Sequence, residues 1–102
     1  VAFGIDRAEL NAWKAAVSRG ETAFLTHYWY DPRFPQFRTV TKVGNADYER
    51  LAKWCRDNGL NPKYIHARSM FPHFDLLGAK QKEILIKEKL FLHLERFGLN
   101  QE

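Results

Sequence analysis

Residues 22–43, TAFLTHYWYDPRFPQFRTVTKV, decide the fold of this chain. The run Ala23-Phe24-Leu25-Thr26-His27-Tyr28-Trp29-Tyr30 is rich in strand-forming residues and apolar on both faces, which predicts an interior strand over 22–30. Asp31-Pro32 ends it, because proline has no N–H to give to a ladder. The loop 31–36 holds two prolines and is therefore stiff. Beyond it, Phe37, Thr39, Thr41 and Val43 alternate with Arg38, Val40 and Lys42. That is the pattern of a half-exposed strand, paired to the first as a hairpin.

Upstream, Asp6 and Glu9 have the spacing of a capping box. Leu10, Trp13, Ala16 and Val17 then recur at helical intervals, which predicts a helix over 7–18 with Gly20 as its left-handed stop. Downstream, Gly44-Asn45 closes the second strand and Asn45 or Asp47 caps a second helix. Tyr48, Leu51, Ala52 and Cys55 form its buried stripe, Asn58-Gly59 its end, and Pro62 blocks its continuation. Residues 64–69 read as a third strand with Ile65 and Ala67 inward. Residues 70–78 form a loop, or a loop plus a short run at 74–77, and a charged helix follows over about 79–88.

In 89–96, Leu90, Leu92 and Leu94 alternate as in a strand, while the Glu, Lys and Leu content favours helix. On one continuous helix the apolar residues between Ile84 and Phe97 would circle the whole circumference. The expectation is therefore a helix ending near Glu88 and then a final strand. Together these elements predict a single α/β domain over residues 1–102: a mixed sheet of three or four strands with about three helices. The first and third strands would be parallel, joined by a right-handed crossover.

The 102 residues suffice for one modest core. A hydrophobic fraction of 45% with 27% charged residues is that of a soluble globular chain. Aromatic residues reach 15%, and several (Phe34, Phe37, Phe71, Phe74) fall in loops, where they fold over a core or stack on a ligand. The net charge of +4 is an ordinary solubility setting and also tilts the partners toward anions. A single cysteine rules out an intramolecular disulfide and fits a reducing cytoplasm. No export signal or membrane-length apolar run is visible, so no membrane partner is expected.

Ligands of open α/β sheets gather beyond the carboxyl ends of strands. His27, Asp31, His66, His73 and Asp75 lie near such ends, which makes His27, His66, His73 and Asp75 the candidate catalytic residues. His73 and Asp75 are expected to share a concave surface with His27 or His66. His73-x-Asp75 offers an imidazole and a carboxylate, with His27 or His66 as third ligand. Two histidines and one carboxylate suit zinc, manganese or iron, although no local motif such as HExxH is present. A divalent metal is thus the cofactor to consider.

Without a metal, a histidine beside Arg33, Arg38 or Arg68 serves phosphodiester chemistry, since guanidinium stabilises charge on phosphate. The plainer alternative makes His27 and His66 polar-network residues and Asp75 the cap of the last helix. Arg33, Arg38 and Arg68 interleave with Trp29, Phe34 and Phe71, a rim suited to nucleic acid or a phosphorylated ligand. The alternative for these aromatics is a secondary core under the loops. A third reading is a protein-interaction module, for example a phage-type inhibitor of a host factor, with exposed aromatics as its hot spot. Cys55 on an apolar stripe is no nucleophile, Ser69 lacks a glycine-flanked elbow, and the absence of a phosphate-cradling glycine loop excludes a nucleoside triphosphatase.

The segments Thr26-His27-Tyr28-Trp29, Asp57-Asn58-Gly59-Leu60, Tyr64-Ile65-His66 and His73-Phe74-Asp75-Leu76 resemble a family of small bacterial and phage proteins classed as a domain of unknown function. Its pattern has a histidine after the first strand, an amphipathic helix ending in glycine, and a His-aromatic-Asp-aliphatic motif before a basic helix. The resemblance covers roughly residues 24–95; the proline-rich loop 31–36 and the second strand depart from it. It implies His27, His73 and Asp75 as site residues and names no reaction.

Overall fold

α1, Arg7–Ser18, begins at the capping box: Asp6 accepts the amide of Glu9 at 2.8 Å, and Glu9 in turn accepts the amide of Asp6. In this computed structural model, which describes residues 4–99, the chain continues through β1, Ala23–Tyr28, and β2, Thr39–Gly44. α2, Tyr48–Asp57, starts where Asp47 accepts the amide of Arg50, and it ends at Asn58 before a left-handed Gly59. A 3-10 turn, Pro62–Tyr64, leads to β3, His73–Leu76, then α3, Gly78–Lys87, and α4, Phe91–Arg96. The result is a single α/β domain with a three-stranded sheet in the order β1-β2-β3.

Both strand pairings are antiparallel, so the expected mixed sheet with a parallel crossover is corrected. The register explains why. Gly44, the last residue of β2, lies opposite His73, the first of β3, so the chain between them travels out along α2 and returns to the same end. The third strand is not 64–69 but His73–Leu76, which overlaps the alternative run at 74–77 in residues 74–76 and begins one residue earlier. Asn61 caps the 3-10 turn by accepting the amide of Lys63, and the segment then gives the sheet only one rung, the bridge from His66 to His73. The expected final strand is also corrected. Glu88 and Lys89 break the helix, Lys89 with φ 59°, and the chain turns into α4, which buries Leu94 while Phe97 is buried just past its end. Four helices therefore stand where about three were expected.

β2 is a central strand buried on both faces, not a half-exposed one. One face, with Phe24, Val43, Phe74 and Leu76, packs against α2 and α3 in a core that includes Leu51, Cys55, Ile65 and Ile84. Tyr48, expected in the stripe of α2, stays exposed. On the same face the hydroxyls of Thr39 and Thr41 bond the Gln81 amide from α3, and Thr41 also bonds Thr26 at 2.7 Å. The other face lies under α1, where Trp13 and Val17 meet Leu25 and Phe71. Gly44 lets α1 approach: a Cβ there would come within 2.7 Å of Trp13 and 2.8 Å of Val17. No helix among the described residues is long and apolar enough to cross a membrane.

Two outcomes follow from this packing. Gly44→Ala should cost about 1–3 kcal/mol in urea unfolding, the usual range for overpacking; an unchanged midpoint would mean that α1 can shift freely. Cys55 is fully buried, and burial pushes its thiol up to about 11, so it should resist a thiol reagent at pH 8 in native protein and react at once in denaturant.

Candidate functional site

The pleat of β3 points His73 and Asp75, two residues apart, to the same face, the one under α1. His66 joins them through the bridge, its amide donating to the carbonyl of His73 at 2.8 Å. Its ring stacks on that of His73 with centroids 4.8 Å apart, and its Nε2 is 3.2 Å from Asp75 Oδ2. His73 Nε2 lies 3.7 Å from Asp75 Oδ1. One ligand atom from each of His66, His73 and Asp75 falls within 4.8 Å of the others. Ligand atoms of one tetrahedral zinc ion lie about 3.4 Å apart, so the widest gap closes by up to about 1.4 Å on binding. His66, the most exposed of the three, has the freedom to close it.

The tautomer of His73 is fixed. Its Nδ1 is 2.7 Å from the carbonyl of Phe71, which can only accept, so Nδ1 carries the hydrogen and Nε2 presents its lone pair toward Asp75. Burial holds this imidazole below its ordinary value, against the pull of the Phe71 carbonyl and the charge of Asp75, while Lys42 and His66 act with burial. A neutral imidazole is the ligand-competent form. Asp75 Oδ1 is buried without a hydrogen-bond partner among the described residues. Trp13 meets the His73 ring edge-on from α1. A shallow pocket of about 480 Å3 opens beside the cluster, lined by His66, His73, Arg68 and Ser69 among others.

His27 is on the same face, two strands away and 2% exposed. Its Nδ1 donates to the carbonyl of Tyr28, and its buried Nε2 has no partner among the described residues. Lys42, between the two outer strands, faces Asp75 across the register, and its charge bears on both His27 and His73. Asp75 is a strand residue, not a helix cap; Leu77 precedes α3 without a side-chain cap.

The basic and aromatic rim is divided between opposite ends of the sheet. Trp29, Arg33, Phe34 and Arg38 follow the Tyr28–Thr39 end, whereas His66, Arg68, Phe71 and His73 collect where Ala23, Gly44 and His73 align. An antiparallel sheet sends successive carboxyl ends in opposite directions, which undoes the common rim assumed from strand ends. At the first end Arg33 is engaged by Asp31 at 2.6 Å and lies over Phe34, itself stacked on Phe37. At the other, Phe71 is half-buried against Trp13.

Two residues stand beside the polar groups of the sheet that the sequence did not associate with them: Lys42, read there only as one of the basic residues suited to nucleic acid, and His93. Lys42 sits beside the site because it shares a face with Asp75, which the alternation of the strand would have revealed once β3 was correctly placed. His93 bonds Thr26 through Nδ1 at 2.8 Å, and no local spacing links residues so far apart.

Burial lowers His27 and His93; for His27 the Tyr28 carbonyl and Asp75 oppose and Lys42 assists, and for His93 Arg96 assists and Glu9 opposes. As pH falls through 6.5, the unfolded chain takes up protons that the folded chain refuses. Stability should therefore be full above that value and decline below it, by up to about 1.4 kcal/mol per pH unit for each such histidine. Urea unfolding of His27→Gln between pH 7.5 and 5.5 should show a shallower decline than the wild type; an equal decline would exclude His27 as a source.

No protein-family model matches the chain, and no solved structure matches it. A protein of Bacillus subtilis (strain 168) does, at 59% identity over 99 residues, covering 97% of this chain and 100% of the relative; it is called "Uncharacterized protein YneQ". Identity at that level along the full length of the relative places the two in one family: the chain belongs to the family of the Bacillus subtilis protein YneQ.

Proposed function

We propose that this protein binds a divalent transition metal through His66, His73 and Asp75, and that the open positions of the ion hold a phosphorylated ligand steered by Arg68. One observation carries the reading: two imidazoles and a carboxylate with ligand atoms within 4.8 Å of one another, one imidazole locked in the tautomer that presents Nε2. Two nitrogens and one oxygen suit zinc, manganese or iron, and three protein ligands leave positions for a ligand. Arg68 lines the adjoining pocket and supplies a planar donor set for phosphate oxygens.

The bound ion would polarise the phosphoryl group, which makes phosphoester hydrolysis the reaction class to assay. A small phosphorylated ligand is favoured over a nucleic acid strand, because Arg33 and Phe34 are engaged within the protein at the far end of the sheet. On this reading His73-Phe74-Asp75-Leu76 carries two of the three metal-binding side chains of this chain. The lone, buried thiol of Cys55 suits a reducing cytoplasm.

Titration of metal-free protein with cobalt, followed by its visible absorption, and with zinc by calorimetry should show one equivalent bound. His73→Ala and Asp75→Asn should each lower affinity by at least about tenfold without changing the circular dichroism. The zinc-loaded protein should then bind p-nitrophenyl phosphate, less tightly in Arg68→Ala. Absence of stoichiometric cobalt or zinc binding would end the metal reading. Metal binding without phosphate binding would end only its second half.

A further inference from the structure

At the opposite edge of the sheet from the metal site, β1 is the floor of a groove of about 670 Å3 between α1 and α4. Four consecutive residues, Ala23, Phe24, Leu25 and Thr26, line it. Their side chains alternate between faces, so the groove runs along the free backbone edge of the strand. The ladder fixes which groups point outward. Asn45 donates to Pro72, so the odd-numbered residues of β2 bond β3 and the even-numbered ones bond β1; Trp29 donating to Arg38 gives the same phase. Ala23, Leu25 and His27 therefore face β2, while the N–H and C=O groups of Phe24 and Thr26 face the groove. No hydrogen bond from those outward groups is made among the described residues. Thr26 is only 2% exposed, so its backbone groups lie at the bottom of the groove with little access to bulk water.

We infer that this groove is a docking site for an extended peptide of another protein, added to β1 as a fourth strand and carrying apolar residues with an acidic one. The walls are apolar on both sides, Ala12 and Ala16 from α1 and Phe91 and Leu92 from α4, the last two 58% and 79% exposed. The charged lining is Glu9, Lys89, His93 and Arg96; Glu9 is already matched by Arg96 at 2.5 Å, and Lys89 makes no ion pair among the described residues, which leaves its ammonium for an acidic residue. Charge and edge geometry thus define the occupant. A second copy of the domain does not fit, because its own β1 is recessed between the same two helices. A lone extended segment does. Such an edge, without a lysine, proline or bulge along Ala23–Tyr28, is otherwise an aggregation template.

The probe is a fluorescein-labelled heptapeptide of alternating valine and threonine ending in two aspartates, added to the intact protein. It should bind and slow hydrogen exchange at the amides of Phe24 and Thr26. N-methylation of its alternate amides should weaken binding about tenfold, the equivalent of one or two lost hydrogen bonds. Exchanging the aspartates for lysines should weaken it severalfold, and Ala16→Trp should obstruct the groove without altering the circular dichroism. If millimolar peptide leaves the Phe24 and Thr26 amides unperturbed, or if the N-methylated peptide binds equally well, strand addition is wrong. Protection of these amides through self-association, seen in sedimentation without peptide, would make the occupant a second copy and overturn the proposal.

Discussion

β2 is hydrogen-bonded along both edges and covered on both faces, so every polar side chain that it buries must be satisfied inside the protein. Thr39 and Thr41 both turn to one amide. The Thr39 hydroxyl donates to Gln81 Oε1, and Gln81 Nε2 donates to Thr41 Oγ1. The hydrogen of Thr41 then has Thr26 Oγ1 as its acceptor, and that of Thr26 has His93 Nδ1. This order leaves each hydroxyl donating once and makes His93 the neutral Nε2–H tautomer, in keeping with the burial that lowers it. Through this one chain α3 is held over β2 and α4 over β1. The same register sets Leu76 opposite Thr41, and by alternation turns His73 and Asp75 to the opposite face.

That opposite face combines tight packing with unresolved charge. Trp13 and Val17 press on Gly44 so closely that no side chain fits between, yet His27 Nε2 and Asp75 Oδ1 are buried there without partners among the described residues. With Nδ1 of His27 donating to Tyr28, both orphan atoms are acceptors, and neither can satisfy the other. Leaving a buried polar group unsatisfied costs about 1–3 kcal/mol. Apolar substitutes at these positions would avoid that cost, so packing alone is a poor explanation for the two residues. A cation at the His66, His73 and Asp75 cluster would give Asp75 Oδ1 its partner, and its charge would act on the same side as that of Lys42. The His27 atom would remain unpaired, which places His27 outside the ligand set and makes it a source of acid sensitivity.

What the sequence disclosed depended on how local the deciding interaction is. The capping box at Asp6 and Glu9, the stripe Leu51, Ala52 and Cys55, and the left-handed Gly59 are set by residues within a turn or two of each other, and all stand where their spacing put them. His73-x-Asp75 was also legible, since period two brings both to one face whenever the segment is extended. The third strand was not. Tyr64, Ile65 and Ala67 carry strand-like side chains, but Pro62 and Asn61 favour a tight turn, and only pairing with distant Gly44 selects His73–Leu76. β2 looked half-exposed because its buried threonines, Thr39 and Thr41, count as polar in any pattern, while their partner Gln81 is 42 and 40 residues away. In 89–96 the leucine alternation suggested one shared face, as in a strand, but a helix that restarts after Lys89 sets residues two apart on opposite sides and turns Leu92 outward and Leu94 inward.

A three-stranded sheet has two edges, and this protein treats them differently. At β3 the chain supplies its own partial rung: the His66 amide bonds the His73 carbonyl, and the bridge goes no further. A metal held jointly by His66, His73 and Asp75 would clamp that rung to the strand, so loading the site would also close the edge against other chains. At β1 nothing in the described chain adds a rung, and protection comes only from recess between α1 and α4. Recess excludes a folded sheet but admits a single extended segment. Growth of the sheet is therefore confined to one side, and the side that remains open is the one whose wall, α4, is tied to the core through His93 and Thr26. Protonating His93 at Nδ1 would require Thr26 to stop donating and reverse the hydroxyl chain as far as Thr41, whose hydrogen would then lose its acceptor in that chain. The neutral form of His93 is thus one of the ties that hold α4 beside the groove, together with the buried Leu94 and Phe97 and the ion pair of Arg96 with Glu9.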